Sequence, residues 1–241
     1  MDDDYNKRPL FFKETEHFTR VADYLSRYIS SEKLLYLPIL TSVLTALFIV
    51  GGPGITGCIA GAIFCGIRLA GYTVYDIMQR KEEYAVSTLY QEMPDHIADI
   101  ILFISIGMMG GTLSAILLGG LVCSAVLMTS MIRISGVALQ TGNFYDGLGQ
   151  NNYRLLFSMA TILTAGVVNL IINDITAGFV VSCALFSLII MCIQTCFVRF
   201  RYIEDKLGVF EKMQARKSDK HLRKKSKNIV MPAKTGRINV K

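Results

Sequence analysis

Four long stretches of this chain carry no Asp, Glu, Lys, Arg or His: 34–67, 100–132, 155–173 and 175–198. A helix crosses a hydrocarbon core with about 20 apolar residues, so the last two stretches predict one span each. The first two are long enough to cross twice if they turn midway. Each holds a suitable turn, "GGPG" at 51–54 and "GMMGGT" at 107–112. Six spans follow, over 34–51, 54–75, 96–110, 112–132, 155–173 and 176–198. With 52% hydrophobic and 18% charged residues, the chain cannot cover a soluble surface. The expected fold class is all-α, a polytopic membrane protein with six transmembrane helices.

Basic residues set the orientation. With six spans both termini share a side with the connections around 76–95 and 133–154, and all 25 Lys and Arg lie on that side or at its edge. Positive charge stays on the cytoplasmic face, so both termini are expected there, in a multi-pass protein of a bacterial inner membrane. The domains divide as 1–33, a cytoplasmic segment; 34–198, the six-helix body; and 199–241, a basic tail expected to be disordered from about Ser218. Residues 14–31 place Phe18, Val21, Leu25 and Ile29 on one helical face, which predicts an N-terminal amphipathic helix at the membrane interface. An ordinary solvated helix packed on the protein fits the same pattern. The tail, with "KHLRKKSK" at its centre, suits anionic membrane lipid. It suits nucleic acid poorly, because no aromatic platform is interleaved with its charges. No cleavable signal peptide is visible in the polar first 33 residues. The six cysteines lie inside the predicted spans and read as small apolar side chains; a metal pair at Cys192 and Cys196 is the minor alternative. Small residues in "GCIAGAIFCG" suit either a homodimer or packing within one chain.

Charges at the ends of spans are where function is sought in such a chain. They are Arg68, Asp76, Arg80, Lys81, Asp95, Asp99, Arg133 and Arg154. Asp95 and Asp99 stand four residues apart on one helix, so both project from one face. Asp76 closes the preceding antiparallel helix and can approach them. Three convergent carboxylates repel one another unless they share a cation, and oxygen ligands favour Mg²⁺, Mn²⁺ or Ca²⁺ over softer metals. Arg80, Lys81, Arg133 and Arg154 are the side chains expected to receive phosphates. The competing reading makes Asp95 an N-cap, with Asp99 in the favourable first turns of the helix.

"STLYQEMPDHIADIILF" resembles the second half of the signature of the CDP-alcohol phosphatidyltransferase family, D-x-x-D-G-x-x-A-R, eight residues, G-x-x-x-D-x-x-x-D. It is close to the stretch G-x-L-x-N-E-x-P-D-R-x-x-D of bacterial members, matched by Leu89, Glu92, Pro94, Asp95 and Asp99. The stretch 130–163 is similar to the family's fourth helix, its glycine-bearing loop and the arginine that opens the fifth. The first half of the signature departs. Asp76 lies 19 residues before Asp95 instead of 18, Ile77 stands for the following glycine, and the first aspartate is absent near Tyr72 and Thr73. The resemblance implies an integral-membrane enzyme that transfers a phosphatidyl group from CDP-diacylglycerol, or another CDP-alcohol, to an acceptor alcohol with release of CMP. It implies Asp76, Asp95 and Asp99 as ligands of Mg²⁺ or Mn²⁺, and Asp99 as general base. Arg80, Lys81, Arg133 and Arg154 would bind substrate, with Arg68 a weaker candidate, and the active site would be cytoplasmic. A relative that has lost catalysis and serves in binding or assembly is the alternative, and a small transporter a further one.

Overall fold

The computed structural model describes residues 15–52, 54–82, 88–139, 141 and 149–229, with the side chains of 80–82, 88–91 and 209–229 outside that description. Eight helices and no strand occur among the described residues: α1 (Glu16–Leu25), α2 (Ser31–Leu34), α3 (Leu37–Gly51), α4 (Gly54–Glu82), α5 (Thr88–Met109), α6 (Leu113–Ala138), α7 (Asn151–Ile171) and α8 (Asp174–Ile229). Five segments are long and apolar enough to cross a membrane: Ser31–Gly51, Gly54–Gln79, Leu113–Ala138, Asn151–Ile171 and Asp174–Gly208. The chain is an all-helical, multi-pass membrane protein on that count. Helix α5 stands apart because Glu92, Asp95 and Asp99 interrupt its apolar sequence.

The two glycine-rich turns fall where the uncharged runs require them. Helix α3 ends at Gly51 and α4 starts at Gly54, whose φ of +51° favours a residue without Cβ. Between α5 and α6, Gly111 turns the chain at φ +67°. Thr112 then caps α6, its hydroxyl accepting from the Ala115 amide at 3.2 Å. Inside the apolar segments, hydroxyls such as Thr45, Ser158 and Thr161 donate to the carbonyl one turn back, which leaves no exposed donor in hydrocarbon.

One core draws on every long helix of the unit Met1–Phe200. Ile49, Cys65, Phe103, Val126, Ile162 and Leu185 come from α3 to α8 in turn. Leu47, Ile63, Leu121, Leu170, Phe179 and Phe186 are exposed, an apolar exterior that water would not tolerate. The small residues of α4 serve contacts within the chain: a Cβ on Gly61 would lie 2.5 Å from Ile49 Cγ2 of α3. Four of the six cysteines are buried and all six are free.

The structure departs from the sequence expectations at three places. The connection expected over 76–95 is mostly helix, because α4 runs to Glu82 through good helix formers and α5 starts at Thr88. Asp95 therefore sits in the body of α5 and not at its N-cap. Helix α1 buries Phe18, Ala22 and Leu25 against Val74, Ile77 and Met78 of α4, while Val21 faces outward. Its buried residues follow the i, i+4, i+7 spacing and share Phe18 and Leu25 with the expected face, Ala22 taking the place of Val21. In the separate unit Arg201–Lys241, α8 continues to Ile229 where disorder is expected from about Ser218; residues 230–241 lie outside those described.

Candidate functional site

The first long uncharged run ends at Arg68, halfway along α4. An arginine there must be neutralised by protein, since neither water nor lipid can solvate it. Its guanidinium is satisfied from three helices. Nε donates to Tyr72 OH at 2.9 Å, Nη1 to Ser42 Oγ at 3.0 Å, and Nη2 to Asp99 Oδ1 at 2.6 Å and the Asp95 carbonyl at 3.3 Å. Arg68 is 1% exposed and Asp99 2%.

Asp99 is shared. Its second oxygen accepts from Arg154 Nη2 of α7 at 2.8 Å, while Arg154 Nη1 donates to the Gly149 carbonyl at 2.6 Å. One carboxylate is thus clamped between two arginines from opposite sides. A turn earlier on α5, Asp95 accepts from Tyr72 OH at 2.8 Å and from Asn151 Nδ2 at 3.4 Å. The antiparallel setting of α4 and α5 explains both pairs, since Tyr72 and Arg68 are one turn apart and meet Asp95 and Asp99 one turn apart.

Beside this network lies an open pocket of about 460 Å³ lined by Glu92, Asp95, His96, Ser130, Arg133, Asn151, Arg154 and Arg199, among others. Arg133 of α6 pairs with Glu92, and His96 Nε2 lies 3.6 Å from the same carboxylate. Arg199 of α8 reaches across to donate to the Thr129 carbonyl of α6 at 2.8 Å. Three buried atoms of the lining, His96 Nδ1, Asn151 Oδ1 and Arg154 Nε, make no hydrogen bond with the described residues. A second cavity, of about 320 Å³, shares Asp95 with this pocket. It is lined by Leu34, Leu35, Leu37, Pro38, Gly71 and Tyr75 together with Arg68, Tyr72 and Asp95.

Of the residues singled out from the sequence, Asp95, Asp99, Arg133 and Arg154 come together here. Asp76 is half-buried on α4, one turn beyond Tyr72, and is not among the pocket's lining residues. The side chains of Arg80 and Lys81 lie outside those described. Arg68, the weaker candidate, is the hub. The sequence reading overlooked Arg199, Tyr72, His96 and Asn151. Arg199 carries a signal, a charge directly after the last uncharged run, where the expected basic tail begins.

The residues do not fit a divalent metal as they stand. Both oxygens of Asp99 are held by arginines, Asp95 is engaged by Tyr72 and Asn151, and no group of three His, Cys, Asp or Glu side chains is placed to hold an ion among the described residues. A hard cation needs several oxygens that are not already neutralised by guanidinium groups.

No protein-family model, curated protein or solved structure matches the chain.

Proposed function

We propose that this chain is a six-span protein of the bacterial inner membrane with the architecture of the CDP-alcohol phosphatidyltransferases. Its pocket would bind a phosphate-bearing ligand of that chemistry, a CDP-alcohol head group or a phosphorylated alcohol, without metal-dependent transfer. In this reading α5 is the sixth span, both termini are cytoplasmic, and α1 lies at the membrane interface. The carrying observation is the convergence of Arg133, Arg154 and Arg199 on one pocket, where His96 Nδ1, Asn151 Oδ1 and Arg154 Nε make no hydrogen bond among the described residues. Arg133, Arg154 and Arg199 bring three guanidinium groups to the lining of this one pocket, a concentration of positive charge suited to an anion. Guanidinium groups suit phosphate oxygens better than any other side chain does. The amide and hydroxyl groups of Asn151, Asn152 and Ser130 add donors for sugar or phosphate oxygens.

Phosphatidyl transfer itself is the second reading, favoured by Asp95 and Asp99 standing on the same face of α5 beside that pocket. There the acceptor hydroxyl oxygen would bond to the lipid-bearing phosphorus as the bond to CMP breaks. Asp99 would first have to exchange its two arginines for the hydroxyl proton.

The deciding experiment incubates purified protein with CDP-diacylglycerol, Mg²⁺ or Mn²⁺ and a panel of acceptor alcohols, and measures CMP release beside CDP-diacylglycerol binding in EDTA. Binding that survives EDTA, with no acceptor-dependent CMP release, is the expected result. Release abolished by Asp99→Asn would establish the transferase instead, and absence of both would remove this ligand class.

A further inference from the structure

The Arg68 guanidinium is surrounded by oxygen. Its four partners are Tyr72 OH, Ser42 Oγ, the Asp95 carbonyl and Asp99 Oδ1, at 2.6 to 3.3 Å. Oxygen-only surroundings with a carboxylate among them are the environment that hard cations select. Within the hydrogen-bonded quartet, Asp95 and Asp99 supply two negative charges and Arg68 and Arg154 two positive ones. An added divalent ion would leave an uncompensated double charge in a cluster where Arg68 and Asp99 have lost almost all contact with solvent.

We infer that Arg68 is a built-in cation that takes the place of a divalent metal at the Asp95–Asp99 carboxylates, and that its removal opens a metal site there. The guanidinium spans α3, α4 and α5 at once, the structural task a bridging ion performs, and it cannot dissociate. Charge balance at this site is therefore independent of metal supply. Without Arg68, the remaining Asp95, Asp99 and Arg154 carry a net negative charge around a cavity bounded by the four oxygens.

Mn²⁺ binding to the purified full-length protein, followed by the loss of the free-ion paramagnetic resonance signal, tests this without reference to any organic ligand. Wild type and Arg68→Lys are expected to show no binding that depends on Asp95 or Asp99. Arg68→Ala is expected to bind one Mn²⁺ at least tenfold more tightly than wild type, and Asp99→Asn in that background to abolish the gain. Stoichiometric binding by wild type that Asp95→Asn or Asp99→Asn removes would overturn the inference, even if Arg68→Ala fails to fold. A folded Arg68→Ala protein with no gain would overturn it equally. The outcome is independent of whether the neighbouring pocket binds phosphate.

Discussion

Arg68 Nη2 donates to Asp99 Oδ1 at 2.6 Å across 31 residues of chain, and neither side chain meets solvent. A pair so placed is costly to assemble and more costly to break, because either survivor is left charged in a medium that cannot solvate it.

Removing Asp99 should therefore destabilise more than removing the whole cluster. Asp99→Leu strands two buried arginines and is expected to cost about 3–5 kcal/mol or to prevent folding. Arg68→Met with Asp99→Leu and Arg154→Met together should recover much of that loss. Thermal unfolding in detergent, followed by circular dichroism, reads the order directly. A triple variant weaker than Asp99→Leu would show that the cluster is worth more than its charge balance.

Helices α5 and α6 approach through Gly119, where a Cβ would lie 2.5 Å from the Phe103 carbonyl. Gly119→Ala must separate the backbones, and roughly 1–3 kcal/mol of destabilisation is expected. Its neighbour Gly120 has no atom within 4 Å of such a Cβ, so Gly120→Ala should be neutral or slightly stabilising. Equal effects of the two substitutions in the same unfolding assay would remove the packing argument.

Loss of one guanidinium from the pocket should weaken anion binding. Arg199→Gln retains a donor for the Thr129 carbonyl but loses the charge. An affinity for CMP or inorganic pyrophosphate reduced by about tenfold, equivalent to about 1.4 kcal/mol, is expected by titration calorimetry. The affinity of wild type should also fall with added salt. Unchanged affinity in the variant would place the ligand elsewhere.

The number of crossings decides whether the two ends of the chain share a side. On a cysteine-free background in intact cells, Ser26→Cys and Lys206→Cys should react with an impermeant maleimide only after permeabilisation. Thr112→Cys should react without it. If Ser26 and Lys206 label from opposite sides, α5 does not cross and the span count is five.

The sequence made the helices legible and the contacts between them much less so. Uncharged runs and glycine turns place α3 to α8 in order, and the helix ends at the two glycine turns to within a few residues, since each rests on a local property of the chain; α4, α5, α6 and α8 run well past the uncharged runs at their other ends. Which side chain of α4 meets Asp95 depends on the rotation and offset of one helix against another. A shift of one turn replaces Asp76 by Tyr72, and no periodicity distinguishes them. Arg68 is conspicuous as a charge beside an apolar run, but all its partners except Tyr72 are 26 to 31 residues away, and Arg154, which shares Asp99, lies on α7. Pairing among these four residues exists only once the bundle has closed.

Asp95 lines both spaces, the polar pocket and the leucine-lined cavity. Tyr72 and Asn151 hold its carboxylate in place. It is a fixture held in common, and an occupant of either space that draws Asp95 toward itself takes it from the other. Two molecules that both drew on that carboxylate would not bind independently: by the reciprocity of linkage, each would alter the other's affinity by the same factor.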